Sequence, residues 1–471
     1  MIDIEGLRPR IAELLAEYGI PSAAVGVLRD GKVTELAVGI TKAPGGAPAT
    51  TDTIYQCGSM TKTWTALAFM QFVDAGLVDL DEPVRTYLPG FTVADPEVAA
   101  AVTPRHLLNH TNGIEESYGD PGEGDDIYAR MVAGIADAPQ VFPLGRTHGY
   151  SAALGYAILA RIMEVLDGKP WHELMRDRVF APLGQADTTC RPEDVDPARA
   201  ATGHMLRSLD EGPIATPVPY LPRDFGPGGG VNSTVRDVLS LAHVFLDGGR
   251  APDGRRIVSA AAVREMLNSR VPIPDPYMFG PEWALGLIVC DWSGQTVYAS
   301  DGSTIGQNAR LRILPEQNLA ITLLTNGSPR ESFYKKVFDL ILPGLDAPTA
   351  PELPRPDPAL RLDLSRYTGV YARPGTRFEV TAEDDELRLT LFLNPMHAQF
   401  MGKPERLVYR LIPVSETHFL MPSDDPLEDT QTVAIYDVRD ARTGAAVGAQ
   451  PPYPRGQARY LHTNSRVHPR A

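Results

Sequence analysis

The chain has 471 residues, 43% apolar and 22% charged, an ordinary make-up for a soluble globular protein and long enough for two domains rather than one core. A net charge of −15 with no compensating basic stripe argues against nucleic acid as a partner. Three cysteines, Cys57, Cys190 and Cys290, are odd in number and far apart, which excludes a disulfide framework. Neither they nor the histidines show metal-ligand spacing, so no metal and no cofactor is expected.

In chain order, Met1 to Glu5 lacks the basic and long apolar regions of a signal peptide and runs into an amphipathic helix pattern around Ile11, Leu14 and Leu15. No run of about 18 apolar residues could span a membrane, and a cytoplasmic location is expected. Ala23 to Leu28 reads as a strand, Arg29 to Lys32 as a turn and Val33 to Gly39 as a second strand. A helix is predicted over 61–75, with Ala66, Phe69, Met70 and Val73 facing the core and Gly76 ending it. From about 84 to 290 helices mix with long turns, helices being predicted near 152–167 and 234–247. Strands follow at 284–289, 295–300, 310–314 and 319–325, then a helix near 331–342. Strands at both ends with helices between predict an α+β sheet built from distant segments. Residues 343–361 hold six prolines and read as a stiff linker. Beyond it, Phe378 to Val380, Leu387 to Leu391, Leu407 to Val414, His418 to Met421 and Val433 to Val438 predict short strands of a small all-β domain, a barrel or a sandwich.

The chemistry starts at Ser59-Met60-Thr61-Lys62. Residues three apart lie on one helix face, so Lys62 can reach the Ser59 hydroxyl within a turn. Serine is a weak nucleophile unless a neighbouring base takes its proton, and lysine is that base only when burial or nearby positive charge lowers its pKa. Only seven of the 44 basic residues are lysines, which makes this placement more telling. His106 and His110 have i,i+4 spacing but no third ligand, and read as scaffold histidines. Gly226-Pro227-Gly228-Gly229-Gly230 lacks the βαβ context of a nucleotide loop and reads as a loop beside the site. Trp64 reads as core.

Six segments in order carry a family resemblance: Gln56 to Lys62, then LVDLDEPVRTYLP (77–89) with HLLNHTNGI (106–114), then Tyr150-Ser151 with Gly155 to Leu159, then Ser300 to Gly306. The first 340 residues resemble the serine β-lactamase and penicillin-binding-protein superfamily, in its class C-like, family VIII esterase branch. The resemblance implies an antiparallel sheet flanked by helices with an all-helical subdomain over 1–342, the linker at 343–361, and a barrel-like, lipocalin-like domain over 362–471, as in penicillin-binding-protein-type thioesterases. It also implies Ser59 as nucleophile, Lys62 and Tyr150 as proton carriers, and an oxyanion hole from the backbone N–H groups of Ser59 and the strand near Ser303. Ser300, Gly302, Ser303 and Ala152 are the implied substrate-side or oxyanion positions.

Two positions depart from the family pattern. Ala152 stands where the second motif carries asparagine, and Ser300 where the third begins with lysine or histidine. The lost amide would have helped hold the lysine, and the lost cation would have gripped a substrate carboxylate, so penicillin-like substrates are disfavoured. Asp301 would disfavour an anion too if its side chain points inward. The expected function is an acyl hydrolase cutting ester, amide or peptide bonds through an acyl-enzyme on Ser59. The alternatives are an acyltransferase or thioesterase-type peptide cyclase, passing the acyl group to an amine or alcohol, and a degenerate scaffold that binds acyl ligands without turnover. In each, the partner is a small acyl molecule or carrier-bound thioester, not a membrane.

Overall fold

A computed structural model describes residues 3–116, 118–395, 398, 403–437, 457–463 and 466–471. Eight antiparallel strands make one sheet, in the order Lys32–Gly39, Ser22–Arg29, Leu319–Thr325, Asn308–Leu314, Gln295–Ser303, Ile288–Trp292, Glu282–Trp283, Val271–Pro272. The first hairpin therefore pairs with a strand three hundred residues on, Val25 lying opposite Leu323. Both strands of that pair, Ser22–Arg29 and Leu319–Thr325, are buried on both faces, which is why they read as continuous apolar runs. One face is covered by the helices Arg8–Tyr18 and Glu331–Ile341, whose Tyr18 and Phe333 rings meet edge to face at 5.5 Å. Against the other lie Thr61–Asp74 and Val235–Leu246 with the remaining helices, in a larger core. Thr61–Asp74 is buried nearly all round, as a helix between a sheet and a helical layer must be.

The strand expected over 284–289 begins only at Ile288. Gly286 takes φ +83°, and the Ala284 N–H donates to the Leu287 carbonyl, closing a tight turn. The freed Gly286 carbonyl accepts from the Thr63 hydroxyl at 2.8 Å, a tie to the helix beneath that a strand would have lost.

Among the described residues the C-terminal region is a nearly closed eight-stranded antiparallel barrel, from Gly369–Arg373 to Arg466–Pro469, each strand pairing with the next. A bridge from Tyr371 to Arg470 joins last strand to first, and closure removes the exposed edges of a sandwich. Tyr367, Tyr371, Phe378, Leu389, Phe419 and Leu461 pack the interior. Val438, the end of one expected strand, lies outside the described residues, and that strand runs Gln431–Tyr436. The barrel seats on loops of the first unit: Arg373 makes a buried two-pronged pair with Glu115 (2.7 and 3.0 Å), and Thr432 donates to Asp275 at 2.7 Å.

Candidate active site

Ser59 sits in a 3-10 turn, Gly58–Met60, that feeds the helix Thr61–Asp74. The end of strand Gln295–Ser303 runs across this turn. A methyl at Gly302 would overlap the Cys57 carbonyl and lie 2.8 Å from the Ser59 nitrogen, so only glycine permits this approach. Gly58 meets the Ser303 backbone as closely from the other side. Ser59, Gly302 and Ser303 are thereby brought to one place, backbone against backbone.

Lys62, one turn after Ser59 at the start of the helix, is 2% exposed. Its Nζ donates to the carbonyls of Ala152 and Gly228, both at 2.7 Å, and lies 3.4 Å from Ser59 Oγ. Burial is the main force on its ionisation and pulls the pKa down to about 7; Glu116 pushes it up and Arg466 further down. A neutral amine has two N–H bonds and a lone pair. With both N–H groups directed at carbonyls, the lone pair faces the remaining partner, the Ser59 hydroxyl. The glycine-rich segment supplies one of those carbonyls. Gly226–Gly229 is a short helix stitched to the lysine's helix: Thr65 donates to the Pro227 carbonyl, and the Val231 N–H donates to Thr61.

Tyr150 lies beneath the lysine, its ring centroid 4.8 Å from Nζ. Burial drives its phenol pKa up, a hydrogen bond with the Ser59 side chain acting the other way, so the neutral phenol is favoured. His110 stacks on Tyr150 at 4.6 Å, and its Nδ1 accepts the Ser151 N–H at 3.1 Å. His106 is spent elsewhere, in a capping box with Thr103. The main-chain carbonyl of Ala152, which no side-chain change removes, holds the lysine.

Ser300 is buried, its hydroxyl 2.7 Å from Thr63 Oγ1. Thr63 gives its own proton to Gly286, so Ser300 is the donor and is committed to the helix below. Asp301 faces the other side of the sheet, paired with Arg312 and 3.8 Å from Arg310. The inward orientation that would make it repel an anion is not the one found. Trp64 is core, its indole N–H donating to Gln185.

Two contributors escaped sequence reading, and a third was read only as part of a loop beside the site. Glu116 lies half-buried beside the Tyr150 turn, where its Oε1 accepts from Ser151 Oγ and from the Ala153 and Leu154 N–H groups. Burial pushes this carboxyl up, but Arg466 and those three donors outweigh it and the net shift is down. Arg466 comes from the last barrel strand and lies 3.8 Å from Glu116. The third is the Gly228 carbonyl. The pair Glu115-Glu116 directly after HLLNHTNGI was the available signal for the first; nothing local marked Arg466, and the glycine-rich segment read as a loop beside the site is a short helix whose Gly228 carbonyl reaches the lysine.

Residues 7–345 match the family model described as Beta-lactamase. The chain is 40% identical over 370 residues to penicillin-binding protein 4 of Amycolatopsis lactamdurans, covering 78% of this chain and 97% of that one. It is 38% identical over 278 residues to the acyltransferase calJ of Penicillium decumbens, covering 52% and 62%. The crystal structure of SurE superposes with a TM-score of 0.74 over 99% of both chains at 26% identity, barrel included. No helix among the described residues is long and apolar enough to cross a membrane. The motif order, the antiparallel sheet with its helical layer and the match over 7–345 agree: this chain belongs to the Beta-lactamase family, a superfamily of serine hydrolases and acyltransferases.

Proposed function

We propose that the protein is a serine acyl hydrolase that cuts ester, amide or peptide bonds through an acyl-enzyme on Ser59. The observation that carries this is the state of Lys62: buried, its pKa lowered to about 7 and Nζ within 3.4 Å of the hydroxyl it must deprotonate. Neutral Lys62 takes the Ser59 proton as Oγ attacks the carbonyl carbon. The N–H groups of Ser59 and Ser303 receive the developing oxyanion, a contact typically worth about 2.7–4 kcal/mol of barrier per donor. Tyr150 works as a neutral relay, giving its phenolic proton to the leaving group and regaining one from the lysine side; its raised pKa disfavours a phenolate. Water then attacks the acyl-enzyme by the reverse path. The assembled trio speaks against a scaffold that only binds. Three free cysteines suit the reducing cytoplasm proposed as its compartment.

Transfer of the acyl group to an amine or alcohol is the second reading, favoured by the likeness to an acyltransferase. The SurE structure with D-Leu directs the acceptor panel toward D-amino acids. Both readings are tested by intact-protein mass spectrometry after exposure to activated acyl esters and a fluorophosphonate, with Ser59→Ala alongside. A stoichiometric adduct on the wild type, absent from the variant, is expected; no adduct on the wild type removes both. Acyl adduct that decays faster with amine than in water alone, yielding amide, selects transfer over hydrolysis.

A further inference from the structure

We propose that Glu116 is a positioning residue for the Ser59–Lys62 centre and that the C-terminal barrel holds it in that role. The inference rests on the acyl-enzyme reading above.

Glu116 acts through the turn that follows Tyr150. Its Oε1 gathers three donors from that turn and the helix it opens: Ser151 Oγ at 2.6 Å, Ala153 N–H at 2.9 Å and Leu154 N–H at 3.2 Å. Ser151 Oγ in turn accepts the Gly155 N–H at 3.0 Å. The same turn presents the Ala152 carbonyl that holds Lys62 Nζ, and the Tyr150 ring beneath it. Helix Leu154–Asp167 has no side-chain cap from its own Ala153, so a residue from outside the helix supplies the cap. A carboxylate suits the place better than an amide, because the donors converge on one oxygen at the positive end of a helix.

The barrel grips this segment at two consecutive residues. Arg373 takes the Glu115 carboxylate at 2.7 and 3.0 Å with both side chains buried, and Arg466 lies 3.8 Å from Glu116 Oε2. With the lysine's partner carbonyl on the turn that Glu116 fixes, a shift of about 1 Å in that turn would misalign the amine, and errors of that size can cost about a hundredfold in rate. The charge has its own reach. Lys62 is faced by the Tyr150 and Tyr156 rings, His110, Glu116 and Arg466, and Glu116 is the charged member that favours the ammonium.

The test uses the full chain and the rate of Ser59 labelling by a fluorophosphonate, followed from acid to alkaline pH. Glu116→Gln is expected to slow labelling by about tenfold, the weight of a hydrogen bond to a charged group. It is also expected to move the midpoint of the acid limb to lower pH, since the charge that favoured protonated Lys62 is gone. A loss of general integrity lowers the rate at every pH without moving that midpoint. An unmoved midpoint, with or without a slower rate, overturns the proposal. Should Glu116→Gln fail to fold, Ser151→Ala removes one donor and keeps the charge. Slower labelling at an unmoved midpoint is then expected, and an unchanged rate overturns the proposal. A wild type that takes no label signals instead the failure of the acyl-enzyme reading.

Discussion

At Lys62, four methylenes carry an amine into a site where its direct partners are two carbonyls and a hydroxyl, and burial dominates its ionisation. Desolvation disfavours the ammonium, so the folded pKa falls below that of the unfolded chain. If the neutral amine is the base, labelling of Ser59 rises with pH and levels off above about 7, and it falls as pH drops through that value. Lys62→Met is expected to reduce labelling by a factor of about 10² to 10⁴, the usual range for a lost general base, and to abolish the acid limb. A stopped-flow pH series on both proteins checks this, and an acid limb kept in the variant assigns it to another group. Arg466 opposes Glu116 in its effect on the lysine, so the centre sits between one charge of each sign delivered from distant parts of the chain.

At the scale of elements, the site is a junction of a helix start, a strand end and a turn. The helix Thr61–Asp74 and strand Gln295–Ser303 were both legible from apolar patterning, and Gly302 was legible as part of a motif. What it does there was not, because the clash a side chain would make is with Cys57, 245 positions earlier in the chain. Gly302→Ala is expected to destabilise the protein by about 1–3 kcal/mol, as overpacking does, since the offending atoms are main chain and cannot rotate away. Thermal unfolding would show it as a lowered midpoint, and an unchanged midpoint would mean that strand and turn have room to part. The loss of the strand expected at 284–287 has the same kind of origin. Leu285 and Leu287 have the apolar character of a strand, yet Gly286 turns there and gives its carbonyl to Thr63.

For the whole molecule, the ties between the barrel and the first unit include a buried ion pair, Arg373 with Glu115. Removing one partner of such a pair leaves an uncompensated buried charge and typically costs about 3–5 kcal/mol, whereas replacing both with apolar groups can be nearly neutral. Arg373→Met is therefore expected to loosen the barrel's seat, and Glu115→Leu added to it to recover most of the loss. Limited proteolysis between residues 346 and 363, a stretch with neither helix nor strand, reports on the seat. Equal protease sensitivity in wild type and single variant would mean that the pair contributes nothing to docking.

The sequence alone indicated the sheet built from both ends of the first unit, its longer helices, five of the eight described C-terminal strands and Ser59, Lys62 and Tyr150 as candidates, because apolar periodicity and short motifs are local; Gly369–Arg373, Tyr460–Thr463 and Arg466–Pro469 went unread. Tertiary structure decided which groups complete the arrangement. It set the Ala152 and Gly228 carbonyls on Lys62, turned Asp301 to the far face, committed Ser300 to Thr63, and brought Glu115 and Glu116 against arginines from the barrel. A main-chain carbonyl leaves no trace in residue identity, and a charge pair spanning more than two hundred residues leaves none in spacing. Burial, which decides the ionisation of Lys62, exists only once the chain has folded around it.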